Sequence, residues 1–253
     1  MTRTLHSAGL GALALAASAA AVATVAAQSS AQGGLSISPA IVERPAAPGR
    51  IGTVVVTNSS SATFDVVATA RPWSQARSGT VLPDARRTLS QVRLGATRFT
   101  LAPGQRRTID ASLTSVPAAG SLYGTVEVLG TPRGGPGGVR TRLRLLSSLR
   151  LNPAASRRRL RVRVGEVRAR GGRVTVAVRN TGNTVQPLTG SIRVAGAAGT
   201  LRGTVAAQRI LPGAVVDVRA ARGRLQRGSY RATVVLRQGG RRVASTTRTL
   251  RVG

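Results

Sequence analysis

Beyond residue 33 the chain alternates apolar and polar residues in short runs, and Gly, Pro, Asn and Ser break the runs at short intervals. A period of two is the signature of an extended strand, whose successive side chains leave opposite faces. No stretch of ten or more residues repeats its apolar positions at the three-to-four spacing of an amphipathic helix. The pattern predicts an all-β protein. Its sharpest stretch is residues 139–151. Val139, Thr141, Leu143, Leu145, Ser147, Leu149 and Leu151 share one face; Arg140, Arg142, Arg144 and Arg150 share the other with Leu146 and Ser148. Asn152-Pro153 closes this strand, because proline cannot donate a ladder hydrogen bond. After a basic linker at residues 156–159 the alternation resumes with Leu160, Val162 and Val164 against Arg161 and Arg163. Gln238-Gly239-Gly240 separates two further runs and predicts a hairpin.

The two halves carry the same signals in the same order. A Val-rich strand ends in an asparagine turn at Asn58 and again at Asn180. A Pro-Gly turn then precedes a strand, at Leu101 to Gly104 and at Leu211 to Gly213. A glycine shortly before a tyrosine opens the next strand, Gly120 with Tyr123 and Gly228 with Tyr230. The Tyr follows the Pro-Gly glycine by 19 residues in the first half and 17 in the second. Such tyrosines resemble the corner tyrosine of immunoglobulin-like sandwiches, whose hydroxyl bonds back to upstream backbone. The expected architecture is two tandem immunoglobulin-like β-sandwich domains, residues 32–155 and 156–253, the second shorter between Asn180 and Gly213. Each half is about 100 residues, enough for its own core. Aromatic residues are scarce, so Val and Leu must fill both cores; Trp73, the sole tryptophan, is expected at a core or edge position of the first domain.

Composition removes whole classes of chemistry. The chain has no cysteine and no lysine, and its one histidine is His6. Disulfides, thiolate nucleophiles and the usual zinc ligands are therefore unavailable beyond the first few residues. Seven carboxylates are scattered through the chain, with no pair spaced as acid/base partners. No catalytic residue, metal or other cofactor is expected, and no small-molecule substrate. Residues 1–139 hold 12 arginines and 5 acids, net +7; residues 140–253 hold 26 arginines and 2 acids, net +24. A basic surface attracts polyanions in a salt-sensitive way, although arginine without lysine is also what a GC-rich coding sequence would produce.

Residues 1–31 read as an export signal. Arg3 supplies a positive start, residues 8–27 are an almost unbroken Ala/Leu/Val run, and small residues allow cleavage after Ala27 or Ala31. The expected location is extracytoplasmic, with no transmembrane anchor left after cleavage.

On these residues the first half resembles the periplasmic pilus-chaperone, or PapD-like, superfamily. The resemblance runs from Ile37-Ser38-Pro39 through the Asn58 turn, Trp73, the Phe99 to Gly104 segment and Leu122-Tyr123, to the alternating strand ending at Asn152-Pro153. The second half is more like a generic bacterial immunoglobulin-like domain. The resemblance implies that the last strand of the first domain pairs with a secreted β-rich subunit and completes its sandwich. Val139, Leu143 and Leu145 would then contact the partner; the alternative is an ordinary internal strand with its odd residues in the core. Family members also grip the subunit's terminal carboxylate with two basic residues in the cleft. Aligned on Pro153, those positions fall at Ser148 and near Ile41, with Arg150 and Arg44 the nearest basic side chains. A second reading stays open: a surface or cell-wall module holding an anionic polymer through its Arg-rich second domain, beginning with Arg157, Arg158, Arg159, Arg161 and Arg163. Nucleic acid is not an expected partner, since no aromatic residues interleave with the basic ones.

Overall fold

Alternating strands that each carry one apolar face have to bury it against a second sheet, and this chain does so twice. The computed structural model describes residues 34–133 and 141–253. The expected export signal at residues 1–31, the Gly-rich segment 134–138 and Val139 lie outside the described residues. The first half contributes β1 (Leu35–Ser38), β2 (Ile41–Pro45), β3 (Gly49–Asn58), β4 (Phe64–Gln75), β5 (Val81–Pro83), β6 (Val92–Leu94), β7 (Arg98–Leu101), β8 (Arg106–Leu113), β9 (Leu122–Pro132) and β10 (Leu143–Asn152). One sheet runs β1-β3-β8-β6; the facing sheet runs β2-β10-β9-β4-β5, with β7 also on β4. The chain enters in the first sheet as β1, passes a cis Ser38–Pro39 bond, and crosses to the second as β2. Val54, Val56, Ile109, Val126, Leu149 and Leu151 interdigitate between the sheets and are almost completely buried.

A short 3-10 turn, Ala155–Arg157, leads into β11 (Val162–Arg170), β12 (Arg173–Asn180), β13 (Leu188–Gly196), β14 (Gly199–Gln208), β15 (Val215–Arg222), β16 (Gly228–Gln238) and β17 (Arg241–Val252). Their sheets are β11-β12-β15 and β14-β13-β16-β17. Val174, Val176, Val178, Ile192, Val216 and Val234 form the separate core between them. The architecture is two immunoglobulin-like β-sandwiches in tandem, as the alternation predicts.

The repeated asparagines have a shared job. Asn58 is fully buried; its amide donates to the carbonyls of Ala62 (2.7 Å) and Leu101 (3.0 Å), while its Oδ1 accepts from the Ser60 backbone N–H and hydroxyl. Asn180 does the same to Thr184 (2.8 Å) and Ile210 (2.7 Å), and accepts from Gly182 N–H. Each backbone carbonyl then takes the N–H of the Pro-Gly glycine, Gly104 or Gly213. Those glycines sit at φ of 72° and 81°, where a side chain would be strained. One side chain thus ties a strand end to a turn about 30 to 45 residues away in sequence, satisfying backbone groups that burial would otherwise orphan.

The two tyrosines do not share a job, which corrects the sequence expectation. Tyr230 is buried and its hydroxyl donates to the carbonyl of Gln226, four residues upstream, as a corner tyrosine should. Tyr123 sits one position past the inward-facing Leu122, so strand parity sends its ring the other way. Its hydroxyl bonds Asn152 Oδ1 (3.1 Å) and the carbonyl of Asn183 in the second sandwich (3.3 Å).

A second tie comes from the β4–β5 hairpin. Arg77 makes a two-pronged ion pair with Asp217 on β15 (3.0 and 2.8 Å), and the Gln75 side chain bonds the Arg209 carbonyl and the Leu211 N–H. The Arg77 guanidinium holds the Asp217 carboxyl below its ordinary value. A depressed carboxylate pKa gives a contribution present above the unfolded pKa and lost as pH falls through the folded one. The two sandwiches should therefore keep a fixed mutual orientation at neutral pH and down through about pH 4, and loosen at lower pH. Asp217→Asn should loosen them at neutral pH. Small-angle scattering of both proteins across that range checks this; identical profiles for wild type and variant at pH 7 would refute the tie.

Candidate binding site

β10 has two different halves. Residues 148–152 lie between β9 on one side and β2 on the other, in parallel register with β2 from Ser148↔Ile41 to Asn152↔Pro45. Residues 143–147 form a ladder only with β9; Leu143 lies beside Gly34 and the Ser147 hydroxyl donates to the Pro39 carbonyl (2.7 Å), but among the described residues no strand pairs with their other edge. The Ser148 N–H bonds the Ala40 carbonyl, away from β9. Strand alternation then turns the backbone groups of Leu146 and Arg144 outward to the open edge. An uncovered edge is a template for another strand.

The odd face behaves as its pattern predicts. Leu149 and Leu151 are fully buried, and Leu143 and Leu145 are half-buried where they pack on the rim of the core. Leu143 and Leu145 therefore stand at the mouth of the sandwich beside the open edge. On the other face Glu127 of β9, only 3% exposed, is clasped by Arg71 of β4 and Arg144 of β10. Arg71 also donates to the Ala85 carbonyl and pins that loop.

The two positions that the pilus-chaperone resemblance marks for basic side chains, Ser148 and Ile41, are direct register partners. Neither is basic, and the two nearby arginines do not come together in their place. Arg150 pairs with Glu43 at 3.5 Å and lines the cleft between the sandwiches. Arg44 is exposed and bonds the Arg50 carbonyl; it shares strand parity with Val42, which packs on the core, and not with Glu43 and Ile41. The cleft instead brings Arg150 near Arg209, with Ser148 and the Tyr123 ring, in a cavity of about 290 Å³ walled by Trp73, Val81, Val185 and Leu211. Trp73 is thus a half-buried edge residue that faces this cleft. Burial pushes the Tyr123 hydroxyl above its ordinary value, so it remains protonated and able to donate. Arg209 escapes sequence reading: it is one arginine among 38, and only the β4–β5 hairpin docking beside it marks the position.

The linker arginines are all exposed. Arg157 lends its backbone carbonyl and Arg159 its N–H to Asn183, while Arg158, Arg161 and Arg163 extend into solvent along the start of β11. Among the described residues no cluster of His, Cys, Asp or Glu could hold a metal ion, and no helix is long and apolar enough to cross a membrane.

Compared by sequence, the chain matches no family model and no curated protein. Compared by structure, it matches a chain of the chaperone–tip adhesin complex of CFA/I fimbriae with a TM-score of 0.50 and 10% identity, over 85% of this chain and 98% of that one. The fold is PapD-like. The class 5 fimbriae chaperone CfaA is also similar (TM-score 0.49, 11% identity, 87% of this chain and 99% of that one). So is a chain of the Salmonella enterica SafA pilin–SafB chaperone complex (0.46, 14%, 85% and 96%). The first match covers too much of the chain to stop at Pro153, so the PapD-like frame extends into the second sandwich, further than the sequence resemblance reaches.

Proposed function

We propose that the chain is an exported, non-catalytic, chaperone-like protein that binds a secreted β-rich subunit by adding the open half of β10 to the subunit's sheet. The observation that carries this is the edge at residues 143–147: paired with β9 alone, and flanked by the half-buried Leu143, Leu145 and Leu146. The partner's strand takes the outward backbone groups of Arg144 and Leu146, and its side chains cover the leucines. Arg150 and Arg209 in the cleft are the cations positioned to receive a chain-terminal carboxylate. Arg44 plays no part in that grip. The solved structure with the higher TM-score comes from a chaperone–tip adhesin complex, which supports a subunit of that general kind as partner. The working division is a leader at residues 1–31, a binding domain at 32–155 and a second domain at 156–253.

Catalysis has no support among the carboxylates. Six of the seven stand in ion pairs with arginines, and the seventh, Asp84, accepts the Arg86 N–H in a turn.

Leu146→Pro provides the test. Proline there removes an outward N–H and leaves the β9 ladder intact, a placement edge strands tolerate. The variant should fold normally yet lose co-purification with its envelope partner. In the wild type, deuterium exchange at the Arg144 and Leu146 amides should be fast in the free protein and slow in the complex. A complex formed equally well by Leu146→Pro, or one without slowed exchange at those amides, would rule out strand addition.

A further inference from the structure

We propose that the outer face of the β14-β13-β16-β17 sheet is a second, independent docking surface whose partner is a linear anionic polysaccharide. The burial pattern turns Arg193, Arg202, Arg231, Arg237, Arg242 and Arg251 outward from this sheet. Register makes them a lattice: Arg193 lies directly opposite Arg202, Arg237 directly opposite Arg242, and Arg231 two positions along β16 from the residue beside Arg193. The second sandwich has two carboxylates, Glu166 and Asp217, and both are on β11 and β15 of the opposite sheet, where Arg168 and Arg77 already hold them. Among the described residues none of the six arginines is in an ion pair. The opposite sheet also carries arginines in direct register, Arg163 opposite Arg179 and Arg173 opposite Arg222, but it holds both carboxylates, whereas the β14-β13-β16-β17 face holds none.

Like charges directly opposite each other on a sheet are destabilising. Two such pairs on one face are relieved by an anion that bridges them, which favours a ligand carrying several negative groups in a row. The remaining chemistry selects among polyanions. Hydroxyls stand between the arginines, with Ser191 opposite Thr204 and the Thr233 and Thr247 hydroxyls 3.2 Å apart. They offer the mixed donors and acceptors that sugar hydroxyls require. Four strands of this length make a face about 15 Å by 30 Å, broad enough for several residues of an extended polymer. Tyr230, the one aromatic residue in the sheet, is buried in the core, so no ring is available to stack a base. Val235 is the largest apolar side chain on the face, which leaves nothing to insert into a bilayer. A second copy would bring the same positive charge and be repelled.

Binding of polygalacturonate to the mature protein at about 0.15 M ionic strength tests the proposal. Duplex DNA and phosphatidylglycerol vesicles are run alongside at equal concentrations of anionic groups. The wild type should bind the polysaccharide most tightly. Arg193→Ser, Arg202→Ser, Arg237→Ser and Arg242→Ser combined should weaken that binding by roughly 10- to 100-fold, from four exposed charge contacts of ordinary strength. Arg157→Ser, Arg158→Ser, Arg163→Ser and Arg179→Ser combined remove the same charge elsewhere in the second half and should weaken it by less than about threefold. Equal losses in the two variants would reduce the effect to net charge and overturn the proposal. Tighter binding of the DNA or the vesicles would overturn it in favour of those partners. Because the four substitutions leave β10 untouched, subunit binding should survive them, so this proposal and the strand-addition reading fail separately.

Discussion

Asn180→Ala is expected to destabilise the second sandwich by about 3 to 4 kcal/mol, and Asn58→Ala the first by a similar amount. The expectation follows from what each side chain leaves behind. Alanine at 180, a position with no solvent exposure, strips the buried carbonyls of Thr184 and Ile210 of a donor and the part-buried Gly182 N–H of its acceptor. An unsatisfied buried group costs about 1 to 3 kcal/mol, and these groups belong to turns that cannot move without dragging Gly213 and the start of β15 with them. A domain of this size has about 5 to 15 kcal/mol in total. Each variant should therefore lower the melting temperature of its own sandwich by roughly 15 °C or more. Calorimetry resolves this if the sandwiches melt separately. Asn180→Asp should be no rescue, because it keeps the acceptor while losing both donated bonds and burying a charge. A shift below about 3 °C for Asn180→Ala would mean that the turn is held by its backbone alone.

Those asparagines were legible in the sequence because the signal was repeated: a Val-rich strand, Asn, then Pro-Gly, twice over. What the sequence does not contain is the partner of each amide, Leu101 and Ile210, since a side chain that reaches a distant loop leaves no local period. The strand pattern likewise placed Leu149 and Leu151 inward. Side-chain parity follows from a period of two, but which strands flank a given edge is a matter of topology. Nothing in Ile37-Ser38-Pro39 says that the chain changes sheets at the proline, and that change is why β2 covers only residues 148–152 of β10. The same gap explains the tyrosines. Tyr123 and Tyr230 have nearly the same sequence context, yet a one-residue difference in parity places one ring in the cleft and the other in the core. The cleft cations show a further limit. Aligning on Pro153 points to Ser148, and the first strand to the region of Ile41; that the two are register partners is visible only in the structure. The alignment could not supply Arg209, because that residue arrives from the other sandwich.

Glu127→Gln is expected to destabilise the first sandwich by about 3 kcal/mol, and to do so through the strand on which the proposed function depends. Glu127 lies in the middle of β9, buried between Arg71 and Arg144, whose side chains are 19% and 44% exposed. Removing one member of a buried ionic group costs about 3 to 5 kcal/mol, because the remaining charges stay desolvated without compensation; the partial exposure of Arg144 puts this case at the lower end. Two consequences beyond stability should follow. Arg71 would lose its hold on the carbonyl at Ala85, so amide exchange in that loop should quicken. Arg144, freed from β9, would no longer lie flat across the sheet, and its guanidinium could reach the open edge beside Leu143 and Leu145. A charge at that edge discourages strand addition. Glu127→Gln should therefore weaken the partner complex at a temperature where the variant is still folded. The informative comparison is the triple variant Glu127→Leu, Arg71→Met and Arg144→Met, which removes the charges together. Apolar replacement of a complete buried ionic group is often neutral or stabilising. The triple variant should recover most of the lost stability and bind the partner at least as well as the wild type. If it is as unstable as Glu127→Gln, the three side chains are holding the sheet by something other than their mutual charge, and the link from Glu127 through Arg144 to the β10 edge does not stand.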